Sequence, residues 1–126
     1  MKIRIKGNSI RFRLTRSEVD YFGKMNLLEE KTSFREAELT YALETQPDGT
    51  LSASFAGNRI TLHVPAALAK EWTTTEQVGY AGEMDLGGGK ILYLLLEKDF
   101  KCLDDTTEDQ SDNYDNPLSL KNGNAS

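Results

Sequence analysis

The sequence predicts an α+β, β-rich fold: a small antiparallel barrel or sandwich built from two strand–strand–helix–strand–strand repeats, with two short helices and a disordered acidic tail. Three observations predict it. Residues 2–6 (KIRIK) and 9–14 (SIRFRL) alternate strictly between charged or polar and apolar side chains, the period of a half-buried strand. The phrase GNSIRFRLT at 7–15 returns as GNRITLHVP at 57–65, so that Gly7/Gly57, Asn8/Asn58 and Ile10/Ile60 match at an offset of 50. Composition then breaks near residue 104. This gives one pseudo-duplicated domain over residues 1–103, with repeats of about 1–50 and 51–100, and a polar tail over 104–126.

Each element follows from local chemistry. Gly7-Asn8 separates two alternating runs by two residues, which predicts a hairpin, and glycine in the first position suits a type II′ turn. That turn sets Lys6 opposite Ser9, Ile5 opposite Ile10, Arg4 opposite Arg11, Ile3 opposite Phe12 and Lys2 opposite Arg13. Thr15 with Glu18 reads as a capping box, opening a helix to about Phe22 that stops at Gly23 with Val19 and Phe22 turned inward. Residues 27–33 form a weaker strand. Residues 37–44 place Leu39, Tyr41 and Leu43 on one face, and PDGT at 47–50 is a turn.

The pattern then restarts. LSASF (51–55), the Gly57-Asn58 turn and RITLHV (59–64) form the second hairpin. Pro65 opens a helix at the position where its missing N–H costs nothing, with Leu68 and Trp72 facing the core. QVGYAGEM (77–84), a loose LGGGK loop and ILYLLLE (91–97) complete it, the last apolar on both faces and therefore central. LTYALE at 39–44 is echoed by LYLLLE at 92–97, at an offset of 53. In the tail, Tyr114 or Leu118 would order only by finding a groove.

A strand ending in a Gly turn, then G-x-I-x-I-P-like chain, a two-turn helix and a hairpin resembles the AbrB-like swapped-hairpin half-barrel. Residues 57–97 carry the resemblance best, through GNRITLHVPAALAKEW; residues 7–44 carry it with Thr15 in the proline position. The resemblance implies two interlocking halves, here in one chain, and a family role in DNA binding by transcription regulators and antitoxins. The stretch EKDFKCLDDTTEDQSDNYDNP (97–117) is similar to the ending of a family of small uncharacterised bacterial proteins, which brings no activity with it.

Charge is divided along the chain although the net value is −5. Residues 1–24 hold Lys2, Arg4, Lys6, Arg11, Arg13, Arg16 and Lys24 against Glu18 and Asp20; the acids crowd after residue 96. In the predicted hairpin Lys2, Arg4, Lys6, Arg11 and Arg13 share one face. Like charges directly opposite destabilise a strand pair by up to ~1 kcal/mol. Three things could offset this: plain solvation, internal neutralisation by Glu29, Glu30, Glu38, Glu44 or the acidic tail, or an anionic ligand. The second hairpin pairs Ala56 with Arg59, Ser54 with Thr61 and Ser52 with His63 and is almost uncharged, so folding alone does not require the five cations.

Other chemistry is thin, and no catalytic residue is assigned. Gly87-Gly88-Gly89-Lys90 lacks the P-loop's first Gly (Met84 stands there) and its Ser/Thr (Ile91). Asp109, Ser111, Asn113 and Asp115 have the spacing of a calcium loop, but Tyr114 replaces its Gly and Leu120 its Glu. One histidine, His63, and one cysteine, Cys102, do not make a usual zinc site, and no serine sits in a nucleophile-elbow context. Glu97 and Asp99 share a strand face, as an acid–base or metal pair would, and also as the charged end of an apolar strand would.

No metal and no cofactor are therefore expected. The lone cysteine and the absence of a signal-like or ~20-residue apolar run point to a cytoplasmic protein with no membrane role. The expected function is a non-enzymatic binding or regulatory module whose partner is an acidic protein surface, nucleic acid or a phosphorylated ligand. Two alternatives stand beside it. One is a phosphate-handling enzyme or sensor, similar to the triphosphate-tunnel enzymes, with Arg4 and Arg11 pointing into a barrel beside Mg²⁺-holding carboxylates. The other is a structural or assembly subunit.

Overall fold

The computed structural model describes residues 1–99 and Tyr114. The predicted tail, Cys102, Leu118 and the calcium-like spacing lie outside the described residues, Tyr114 excepted. In chain order the elements are β1 (Lys2–Lys6), β2 (Ser9–Leu14), α1 (Arg16–Met25), β3 (Leu27–Ser33), β4 (Glu38–Gln46), β5 (Ser52–Ala56), β6 (Arg59–Pro65), α2 (Ala66–Thr74), β7 (Gly79–Gly87) and β8 (Lys90–Lys98). The class is α+β, with most residues in strands.

The strands form two four-stranded sheets, ordered β1-β2-β8-β7 and β3-β4-β6-β5. Each sheet thus takes one hairpin from the first half of the chain and one from the second. The hairpins are antiparallel, but the seams between halves, β2/β8 and β4/β6, are parallel. Of the expected barrel or sandwich the two-sheet form is found, with no closed barrel; the all-antiparallel pairing is corrected, because both sheets are mixed. Hairpin turns fix only neighbouring strands, whereas the parallel seams skip over others: β4/β6 skips β5, and β2/β8 joins segments 84 positions apart.

The two seams have matching registers. Ser9 lies opposite Tyr93, and Arg59 lies opposite Thr40. These pairs are related by the same offsets of 50 and 53 positions that relate Gly7 to Gly57 and Leu39 to Leu92. The Tyr93 N–H donates to Asn8 O at 3.0 Å and the Thr40 N–H to Asn58 O at 2.9 Å. Within β1/β2 every predicted partner is found, including Arg4 opposite Arg11. Gly7 alone has positive φ in its turn, as type II′ requires, whereas Gly57 and Asn58 are both positive, the type I′ signature.

Glu18 accepts a hydrogen bond from the Thr15 N–H at 2.8 Å, so the predicted helix start is in place. The stop is not at Gly23. The helix runs on to Met25 and ends at Asn26 in the left-handed region (φ 60°). Gly23 instead serves helix packing: a Cβ there would lie 3.1 Å from the Thr73 side chain of α2. Pro65 likewise caps α2 rather than forming its first residue.

One core runs between the sheets and under the helices. It holds Phe12, Leu14, Val19, Phe22, Leu43, Leu62, Val64, Trp72, Leu94 and Leu96, with Leu68 packed at its edge. Phe22 and Trp72 meet edge to face with centroids 6.5 Å apart, where the two helices touch. The buried indole donates to Val78 O at 2.9 Å, satisfying its one polar atom. The core covers one face of each sheet and leaves the other outward.

Candidate anion-binding face

The outward face of the first sheet is set by its registers. Alternation turns Ile10, Phe12 and Leu14 inward and Ser9, Arg11 and Arg13 outward. Three rows of side chains then cross the four strands β1, β2, β8 and β7. They read Lys2–Arg13–Glu97–Gly79, Arg4–Arg11–Leu95–Ala81 and Lys6–Ser9–Tyr93–Glu83. All five predicted cations fall on this face.

They do not share one environment. Arg11 Nε lies 3.2 Å from Glu97 Oε1. Arg13 Nη2 lies 3.5 Å from Asp99 Oδ1, and Lys2 Nζ lies 3.3 Å from Asp99 Oδ2. The Asp99 side chain is only 4% exposed, held where its N–H extends the β2/β8 seam by donating to Leu14 O at 2.8 Å. The first row is therefore neutralised by carboxylates of the chain itself. Among the described residues no carboxylate lies within ion-pair distance of Arg4 or Lys6. Arg4, Lys6, Ser9, Arg11 and Leu95 line an open depression of about 200 Å³.

Of the carboxylates expected to neutralise the hairpin, the acidic tail lies outside the described residues, and the four glutamates lie on the second sheet. Glu29 pairs with Arg59 at 2.5 Å, and Glu38 lies 3.8 Å from Lys31, both on the second sheet. Glu30 is on that sheet too, and Glu44 stands opposite His63 there. Glu97 and Asp99 take the role because the parallel β2/β8 seam brings them beside Arg11 and Arg13. Among the described residues no three His, Cys, Asp or Glu side chains are grouped to hold a metal ion.

Beyond this row the end of β8 gathers further charge. Lys98 is buried, its ammonium donating to Thr75 O at 2.8 Å. Burial lowers its pKa, opposed by the charge of Glu76. Tyr114 returns to this point: its N–H donates to Asp99 O at 2.9 Å, and its ring lies 5.2 Å from the Arg16 guanidinium and 5.4 Å from the Lys98 ammonium. Tyr114 is half-buried and packs against the core.

The remaining sequence candidates are structural in their surroundings. Gly87, Gly88 and Gly89 all have positive φ in the β7/β8 hairpin loop, beside a bulge at Asp85–Gly87. His63 Nε2 lies 3.0 Å from Ser54 Oγ, a cross-strand contact on the outer face of the second sheet. Sequence reasoning passed over Ser9, Glu83, Tyr93 and Leu95. Tyr93 and Leu95 alternate with the buried Leu94 and Leu96 in ILYLLLE, but an apolar run does not itself say which of its faces meets solvent.

A family model described as a family of unknown function (DUF7009) matches residues 1–118. The chain belongs to this family. The match covers all the strands and helices given above, and with them the whole basic face of this DUF7009 chain. No curated protein and no solved structure matches it. No helix among the described residues of this DUF7009 protein is long and apolar enough to cross a membrane.

Proposed function

We propose that the chain is a non-enzymatic binding module that captures an anionic partner on the first sheet's outer face. One observation carries this reading: Arg4 and Lys6, neither with a carboxylate in ion-pair distance among the described residues, line a depression together with Arg11, which is paired to Glu97. Arginine's planar fork and lysine's ammonium supply donors suited to phosphate or carboxylate oxygens. The like-charged Arg4/Arg11 pair is unfavourable for folding and is relieved by an anion. A fused pair of swapped-hairpin units, similar to the AbrB-like half-barrel, belongs to the same reading. The exchange of hairpins between the two sheets supports it. Cytoplasmic residence belongs to it also, on the strength of the single Cys102.

The test is binding of inorganic polyphosphate and heparin to the full-length chain across a salt series. Affinity should fall steeply with salt, as for contacts that release counterions. Arg4→Ala with Lys6→Ala should weaken binding at least about tenfold, the scale of one or two charge-assisted contacts. Arg59→Ala, on the other sheet, should leave it unchanged. Salt-independent binding, or equal losses from both variants, overturns the reading.

A further inference from the structure

Beside the basic depression lies a second one of about 450 Å³, lined by Ala81, Gly82, Glu83, Tyr93, Leu94 and Leu95, and the two share Leu95. The face therefore changes character across the strands. Its β1/β2 side is cationic, its middle is aromatic and apolar, and its β7 side is acidic. Tyr93 is 48% exposed although it stands on an interior strand of the sheet. Lys6, Ser9, Tyr93 and Glu83 occupy one transverse row. Neighbouring strands are ~4.8 Å apart, so Lys6 and Tyr93 are separated by about 10 Å, two such spacings.

We infer that this face holds a nucleoside phosphate unit, with the phosphate on Arg4, Lys6 and Arg11 and the base on the Tyr93 ring. The inference rests on the anion-binding reading and names its ligand class. A bare polyanion would gain nothing from Tyr93 and would be repelled by Glu83. A base gains a stacking partner from the exposed ring. The Glu83 carboxylate accepts a hydrogen bond from an exocyclic amino group such as cytosine N4. Ser9, between phosphate and base, offers a hydroxyl at the height of the sugar. At the corresponding positions of the second sheet stand Thr40 for Tyr93, Ala42 for Leu95 and Lys31 for Glu83, and no such gradient exists there.

The unit is supplied either by a free nucleotide or by a single strand. The experiment uses the full-length chain, a labelled single-stranded deoxycytidine oligomer followed by fluorescence anisotropy, cytidine monophosphate as competitor, and inorganic polyphosphate as an anion without bases. Tyr93→Ala should weaken oligomer binding roughly 5- to 100-fold while leaving polyphosphate binding intact, and Tyr93→Phe should restore it. Competition by the monophosphate at matched phosphate concentration identifies a free nucleotide; competition by oligomer alone identifies a strand. If Tyr93→Ala binds the oligomer like the parent while Arg4→Ala with Lys6→Ala binds it worse, the nucleoside assignment fails and the anion reading survives. If neither oligomer nor polyphosphate binds, both fail.

Discussion

Where the first sheet carries Arg4, Lys6 and Arg11, the second carries Ser54, Ala56 and Thr61 at the same points of its hairpin. The parallel seam continues the contrast. Tyr93 and Leu95 face outward on one sheet, Thr40 and Ala42 on the other. Even the shared acid differs in company: Glu97 meets Arg11 through 3.2 Å, while Glu44 stands opposite His63. Arg59, on the second sheet, is tied to Glu29 and donates to Thr61 Oγ1 at 3.2 Å. The same pairing geometry thus forms with cations and without them. What the cations add is therefore to be sought in binding, and the second face is an internal control for every substitution made on the first.

The largest effect that separates the two faces is expected at Gly79, opposite Glu97. A Cβ there would sit 2.1 Å from Leu96 O, so Gly79→Ala should destabilise the protein by about 1–3 kcal/mol or more through overpacking against backbone. The matching position is Leu27, opposite Glu44, and Leu27→Ala on that half-exposed edge should change the denaturant midpoint far less. Equal midpoint shifts would show that the two edges are built alike.

A smaller effect of opposite sign is expected at Arg4. Arg4→Ser copies the second face onto the first and removes a like-charge pair with Arg11. It should raise stability by about 0.2–1 kcal/mol in urea unfolding while weakening polyanion binding. A loss of stability would mean that Arg4 contributes packing as well as charge.

The smallest effect concerns pH. Burial, and then a hydrogen bond donated to Glu71, push the Tyr80 pKa up to about 12 from 10.0. Between those values the unfolded chain gives up its phenolic proton while the folded chain keeps it, so stability falls as pH rises, with no contribution below pH 10. The side chain is partly exposed, and solvent screening holds this below ~1 kcal/mol. Tyr80→Phe should flatten the stability profile over that window, since Leu28 at the matching position has no proton to lose. An unchanged slope would assign the fall to other groups.

Much of this was legible in the sequence for a local reason. Gly-Asn turns pin the partner of every residue in both hairpins, and the predicted Lys2–Arg13 to Lys6–Ser9 ladder is the one found. The Thr15/Glu18 helix start is local too. Legibility ended where contacts became distant. Nothing near Arg11 or Arg13 in sequence announces that Glu97 and Asp99 arrive on a parallel neighbour. Gly23 read as a helix stop because its use, admitting Thr73 of the other helix, depends on a partner fifty positions away. Tyr93 was hidden by the same cause: in an apolar run, only the position of the sheet in the fold tells which face meets solvent.

The exchange of hairpins has a consequence for how the chain is made. Neither half contains a complete four-stranded sheet, since β1 and β2 wait for β8 and β7. During synthesis the N-terminal half leaves the ribosome with the seam edges of β2 and β4 uncovered. The β4 edge is paired by β6 only 19 positions on, whereas the β2 edge waits for β8, 84 positions on. The first sheet is thus the later of the two to form, completed only when β8 emerges, and cutting the chain near residue 50 yields two unfinished pieces instead of two smaller domains.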